Sequence, residues 1–202
     1  NIVHGFFQAG IYKTALIIGA ETLSKVTDWT DRGTCVLFGD GAGAAVLKAE
    51  ETGVVDMLMG SDGTKGPILS CTSRTLGNFL TGTKPELGLM TMDGQEVFRF
   101  AVKKVPESIE ILLERNHISR EEIKYYVLHQ ANERIVEAAA RRLKEPMEKF
   151  PMTISKYGNT SSASIPLLLN DMAEKDMLQP GDKIILSGFG AGMTWGAVLM
   201  EW

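Results

Sequence analysis

The chain has 202 residues, 44% of them apolar and 23% charged, and a formal net charge of -4. That composition supports a real hydrophobic core and excludes a disordered or fibrous chain, and the acidic balance sets it apart from proteins whose main partner is nucleic acid. Two cysteines, Cys35 and Cys71, are too few for a disulfide scaffold or a cysteine-rich zinc site and suit a reducing compartment, hence the cytoplasm.

No basic region or small-residue cleavage site opens the sequence, so no targeting segment is expected. Asn1 to Gly10 reads as helix, with Ile2, Val3, Phe6 and Phe7 on one apolar face. Thr14 to Gly19 is a continuous apolar run, as expected of a strand buried on both faces. A Thr- and Asp-rich loop, 21–32, leads to a strand at Cys35–Phe38, a tight glycine-rich stretch at Gly39–Gly43 and a further strand at Ala44–Leu47. The glycine spacing in 39–43 is wrong for a dinucleotide fingerprint.

A strand at Val55–Met59 precedes a long segment, Ser61–Thr91, with little periodicity and the composition of a functional or mobile loop. A helix follows at Gln95–Arg115, its stripe made of Val97, Phe98, Ala101, Val105, Ile109 and Leu112, with Pro106 expected to bend or divide it. Ser119–Glu122 has the pattern of a capping box. Two similar units come next: strand Tyr125–Leu128 ending at His129 with helix Glu133–Lys144, then Lys149–Ile154 with Gly158–Thr160 and a helix near Ser164–Asp176 whose first turn holds Pro166. Strands at Lys183–Ser187 and Trp195–Met200 flank a glycine-rich turn, Gly188–Gly192. This last region is the longest uncharged stretch, but its four glycines make it two strands and a turn rather than a membrane span. The alternation implies an α/β fold with a largely parallel sheet.

In such sheets the functional side chains gather beyond the carboxyl ends of the strands. Three exits carry unusual sequence: His129–Asn132, Gly158–Thr160 and Gly188–Gly192. If they are neighbours, an imidazole, a carboxamide and several backbone N–H groups converge on one site, suited to stabilising charge on a carbonyl oxygen. A histidine at a strand end and an asparagine in a turn are equally well read as structural residues, and periodicity alone leaves the two readings open. His4 and His117 have no metal-ligand spacing, so neither a metal nor a cofactor is expected.

The wording of these segments narrows the choice. His129-Gln-Ala-Asn-Glu-Arg-Ile135, Tyr157-Gly-Asn-Thr-Ser-Ser-Ala-Ser-Ile-Pro166, Thr30–Thr34 with Phe38–Val46, and Gly188–Gly196 resemble, in order, the motifs of the β-ketoacyl-acyl carrier protein synthase III family. The resemblance implies a thiolase-like α/β fold of layered sheets and helices, here an incomplete first half at 1–52 and a complete second half at 53–202. It implies a decarboxylative Claisen condensation of an acyl-CoA primer with malonyl-acyl carrier protein, initiating fatty acid synthesis, in a homodimer acting on neither nucleic acid nor membrane.

By the same resemblance His129 and Asn159 hold the malonyl thioester oxygen, with His129 neutral and protonated on Nε2. Phe189, Gly190 and Ala191 belong to the oxyanion loop, Arg32 contacts the CoA nucleotide, and Phe98 lies near the substrate tunnel. Arg134, Arg141 and Arg142 on one helix side, with Arg99 and Lys103 on another helix, form docking patches for the acidic carrier protein, although interspersed Glu133, Glu137 and Glu145 also fit an ordinary solvated face. The family's nucleophilic cysteine belongs just ahead of Asn1, so these residues alone are expected to be inactive. Cys35 is read as a small core residue in a strand, and Cys71 as a loop thiol without the helix N-terminus that would activate it. Other thiolase-fold condensing enzymes, such as plant-type polyketide synthases and 3-hydroxy-3-methylglutaryl-CoA synthases, and an inert partner subunit are the alternatives.

Overall fold

The computed structural model describes residues 1–72, 76–85 and 88–202. Helix α1 (Ile2–Gln8) precedes strands β1 (Thr14–Thr22) and β2 (Asp40–Lys48), which pair antiparallel from Thr14↔Lys48 to Thr22↔Asp40. Next come β3 (Val54–Ser61), β4 (Leu69–Cys71), β5 (Met90–Met92) and α2 (Gly94–Arg115). Then follow β6 (Ile123–Leu128), α3 (Glu133–Leu143), the one-turn helix α4 (Ile154–Tyr157), α5 (Ser164–Glu174), β7 (Lys183–Gly190) and β8 (Thr194–Glu201).

The principal sheet has the order β3-β8-β7-β6. Its side chains alternate between two cores, as strand geometry requires. Tyr126, Leu128, Ile185 and Leu199 turn toward Val105, Ile109 and Leu112 of α2 and Val136, Ala139 and Leu143 of α3. Val127 and Ile184 turn the other way, toward Leu168 and Met172 of α5. Helix α5 is itself sandwiched, because Gly41 and Gly43 of β2 lie against Leu167 and Pro166 on its far side. The layers are therefore α2 with α3, the sheet, α5, and the β1–β2 hairpin.

Several expectations hold: α1, β3, α3, α5 and the two closing strands fall where periodicity puts them. Glu122 reaches back to the Ser119 N–H at 3.0 Å, completing the capping box. Others are corrected. The sheet is mixed, with only β6–β7 parallel and the pairs β7–β8 and β3–β8 antiparallel. Cys35–Phe38 is a series of turns rather than a strand, and Asp40–Lys48 is one unbroken strand rather than a turn and a strand. Its glycines do not turn the chain; they let β2 lie close upon α5. Strand β1 is not buried on both faces: Leu16 and Ile18 are 60% and 62% exposed, since α5 and the turn before it cover only one face of the hairpin.

Helix α2 runs unbroken through Pro106. Proline has no N–H to give the carbonyl four residues earlier, here Val102. The Arg142 guanidinium of α3 donates to that oxygen at 3.4 Å, so the neighbouring helix supplies the missing donor. The segment expected as one long loop contains a 3₁₀ turn at 63–68 and the β4–β5 pair, and part of it (73–75, 86 and 87) lies outside the described residues.

Leu112 is fully buried between α2 and the sheet, whereas Leu16 lies on the open face of the hairpin. Leu112→Ala is expected to cost about 2–5 kcal/mol in urea unfolding, and Leu16→Ala less than about 0.5 kcal/mol.

Candidate active site

His129 follows directly on β6, and its backbone N–H donates to the Ser187 carbonyl of β7 at 2.8 Å, which holds it at the carboxyl end of the parallel β6–β7 pair. Three residues on, Asn132 caps α3 by accepting the Arg134 N–H at 2.9 Å, and fixes how the chain leaves the sheet. The His129 ring meets Phe189 edge to face, with centroids 5.5 Å apart. Its Nδ1 lies 2.6 Å from Ser164 Oγ, at the first residue of α5. Burial pushes the imidazole pKa down from 6.5 to about 4, so His129 is neutral at pH 7.

Asn159 is not at a strand exit, contrary to the expectation from sequence. It follows α4 and is pinned by main-chain bonds to the segment ahead of β2: its N–H donates to Leu37 O at 2.8 Å and its carbonyl accepts the Gly39 N–H at 2.9 Å. This crossing is possible only because of two glycines. A Cβ on Gly39 would stand 2.1 Å from Tyr157 O, and Gly158 adopts φ +68° with the Leu37 carbonyl 3.1 Å from its own Cβ position. The side-chain Oδ1 of Asn159 accepts the Ser161 N–H at 2.9 Å, which leaves the amide NH₂ as the group free to act as donor.

Both side chains line one cavity of about 430 Å³. Phe98, Phe189, Gly190 and Ala191 line it too, with Leu37, Met90 and Met92 supplying apolar wall. A second opening, of about 790 Å³, meets the first at His129, Ser161, Phe189 and Gly190 and is bordered by Ser164 and Trp195. Strand β7 continues to Gly190, paired with Thr194, so the expected turn at 188–192 is confined to the residues after Gly190.

The remaining predicted residues lie outside the cavity. Arg32 is exposed, with its neighbour Gly33 on the cavity wall. Arg134 is exposed on α3. Arg141 pairs with Glu137 at 3.7 Å, Arg99 pairs with Glu96, and Arg142 is engaged with the Val102 carbonyl of α2. Because Val102 lies between Arg99 and Lys103, that contact brings the basic side chains of α2 and α3 to neighbouring surface. Cys35 sits in a turn, partly exposed, and is not a core strand residue. Cys71 ends β4 and lines the 430 Å³ cavity, a position its place in sequence did not suggest. Among the described residues no group of three or more His, Cys, Asp or Glu side chains could hold a metal ion, and no helix is long and apolar enough to cross a membrane.

Sequence reasoning also missed Ser164 and Gln130. Gln130 is buried and bridges two segments: its amide donates to Leu128 O at 2.7 Å and its carbonyl accepts the Thr153 N–H at 2.9 Å. Both lie inside the quoted motifs, one next to the histidine and one five residues beyond the asparagine, and that adjacency was the available signal.

A layered α/β molecule with a neutral histidine and an asparagine amide over a shared cavity, beside glycine-rich backbone, falls in the thiolase-like fold class. Two sequence profiles agree with that class: 3-oxoacyl-[acyl-carrier-protein (ACP)] synthase III over residues 1–63, and the C-terminal region of the same synthase over residues 113–202. The β-ketoacyl-[acyl-carrier-protein] synthase III of Clostridium novyi is 49% identical over all of this chain and 63% of its own length, and that of Gloeobacter violaceus 44% identical over 98% and 61%. Crystal structures of the synthases from Aquifex aeolicus and Thermus thermophilus superpose with TM-scores of 0.88 and 0.89 at 38% and 40% identity, covering 100% and 98% of this chain and 62% of each of theirs. The chain belongs to the 3-oxoacyl-[acyl-carrier-protein] synthase III family. It spans less than two thirds of the length of these relatives.

Two predictions follow from the geometry. Gly39→Ala should displace the Tyr157–Asn159 segment, and is expected to lower the melting temperature by several degrees, corresponding to about 1–3 kcal/mol. For His129, the unfolded chain binds a proton between pH 6.5 and about 4 that the folded chain refuses, so stability falls as pH drops through that window and is fully present above it. Carboxylates held low by hydrogen bonds, such as Asp40 and Asp171, lose their contributions only at lower pH. Urea unfolding should show a decline of at most about 3 kcal/mol across that window, and His129→Asn should flatten it.

Proposed function

We propose that these residues form the malonyl-handling half of a decarboxylative condensing enzyme that joins an acyl-CoA primer to malonyl-acyl carrier protein, the first elongation step of fatty acid synthesis. The observation that carries the reading is the pairing of His129 and Asn159 on one cavity wall, each with its second polar atom already engaged, by Ser164 and Ser161 respectively. Each then keeps a donor group for a ligand, the Nε2–H of the imidazole and the NH₂ of the amide. Two N–H donors aimed at a thioester oxygen stabilise the enolate that forms as CO₂ departs, while they bind the ground-state carbonyl less strongly. A neutral imidazole suits this task, because it donates without protonating the enolate carbon's oxygen outright.

The nucleophile in this scheme is a cysteine thiolate carried by the part of the relatives' length that these residues do not span. It takes the acyl group from acyl-CoA with release of CoA, and the enolate then attacks the resulting thioester. Without it the 202 residues are inactive in acyl transfer. Backbone N–H groups near Phe189 to Ala191 serve the acyl oxygen, and Phe189 stands beside the sulfur. Residues 1–52 are the remainder of a first half-domain, and 53–202 form the second.

Phe98 borders the substrate tunnel, and Arg32, on the rim beside Gly33, takes the CoA nucleotide. Arg99, Arg134 and Arg141, with Arg142 in a shared structural role, present positive charge to the acidic carrier protein. No cofactor or metal enters the scheme. The setting is cytoplasmic and the complete enzyme a homodimer.

In the complete enzyme carrying these residues, His129→Ala and Asn159→Ala should each reduce malonyl-acyl carrier protein decarboxylation by about 10²–10³-fold, the usual loss for one oxyanion donor. Transfer of the acyl group to the cysteine should persist in both. Normal decarboxylation in both variants would exclude the assignment.

A further inference from the structure

The contact between His129 and Ser164 has a direction. Ser164 is 2% exposed, and its Oγ has two neighbours within hydrogen-bonding distance among the described residues: His129 Nδ1 at 2.6 Å and the Gln130 N–H at 3.4 Å. The Gln130 N–H can only donate, so it occupies a lone pair of Oγ. The hydroxyl proton then has one acceptor within reach, the Nδ1 lone pair. Were Nδ1 instead protonated and donating to Oγ, the serine would carry three donors, two of them incoming, and its own proton would be buried without a partner, a loss of about 1–3 kcal/mol.

Helix α5 adds a second bias. Ser164 is its first residue, so the face of the imidazole at Nδ1 meets the positive end of an 11-residue helix. A lone pair is favoured there over an N–H dipole or a cationic ring. Phe189 packs against the ring edge to face, and the Ser187 carbonyl holds the backbone N–H, so the imidazole has little freedom to swing away from Ser164.

We propose that Ser164 is a positioning residue that, by donating its hydroxyl proton to Nδ1, holds His129 as the Nε2–H tautomer and so presents an N–H donor to the cavity shared with Asn159. The inference deepens the proposed role of His129 and rests on it for its functional meaning; the tautomer itself can be read without any substrate. Gln130 contributes through its main chain, because its N–H fills the Ser164 lone pair that would otherwise accept from the histidine.

The test uses the complete protein carrying these residues, labelled with ¹⁵N-histidine, in which long-range proton–nitrogen correlation reports the protonation of each ring nitrogen at pH 7. His129 is assigned by its loss in His129→Gln, with His4 and His117 as internal references. The expected result is a His129 Nδ1 in the unprotonated range and an Nε2 in the protonated range. Ser164→Ala should introduce a resolved share of the Nδ1–H form while leaving the His4 and His117 signals in place, and Ser164→Thr, which keeps the hydroxyl, should restore the single tautomer. A wild-type spectrum with Nδ1 protonated overturns the proposal whether or not any variant folds, and an unchanged tautomer in Ser164→Ala does the same. Failure of the catalytic reading is separable: if His129→Ala of the complete enzyme decarboxylates malonyl-acyl carrier protein normally while the wild-type spectrum shows Nε2–H, the proposed function falls and the assignment to Ser164 stands.

Discussion

The site depends on a crossing of two backbones. Leu37, Phe38 and Gly39 run beside Asn159 closely enough to exchange main-chain hydrogen bonds in both directions. Segments that are 120 residues apart in sequence are therefore held as rigidly as neighbouring strands. Neither could approach if Gly39 carried a side chain. The asparagine owes its position to this contact more than to the one-turn helix before it, and the cavity wall formed by Leu37 and Phe38 is placed by the same bonds. The histidine is fixed independently, by the parallel pairing of β6 and β7. The spacing between the two donors is thus set by how the hairpin side of α5 and the sheet side of α5 pack on one helix, whose first residue also touches the imidazole.

Much of the fold was legible because its signals are local. The stripe of α2, the capping box at Ser119 and the apolar runs of β6 and β7 each reflect a short-range rule. What was not legible depends on partners remote in sequence. Cys35–Phe38 has the composition of a strand, but its backbone donors and acceptors go to local turns and to Asn159. Thr14–Gly19 has the composition of a doubly covered strand, yet only one face of the hairpin meets other residues. Parallel and antiparallel pairing cannot be told from apolar runs of this kind, so the mixed sheet was missed. Pro106 misled for a related reason, since the donor that completes its helix sits on α3.

The candidate site was legible in its chemistry and less so in its support. His129, Asn159, Phe98 and Phe189–Ala191 were all singled out from sequence, and all of them line the cavity. The groups that orient them are small or uncharged. Ser164, Ser161 and Gln130 act through one hydroxyl, one main-chain N–H and one buried amide. Such residues look like turn formers or helix starts until their partners are known. Arg142 is exposed, as its helical pattern implies, and its guanidinium also meets a carbonyl of the neighbouring helix, a contact that only the structure reveals.

The order of the principal sheet has a consequence for how the molecule is made. Strand β8 lies between β3 and β7, with Val54 paired to Met200 and Ile184 paired to the same residue from the other side. Until β8 has left the ribosome, β3 has no partner in this sheet, and β7 has only β6. Loop-closure entropy must be met across the 146 residues that separate Val54 from Met200 before the β3–β8 bonds form. The native sheet is therefore acquired only once β8 has been made, and the half-built molecule exposes unpaired strand edges of the kind that chaperones shield.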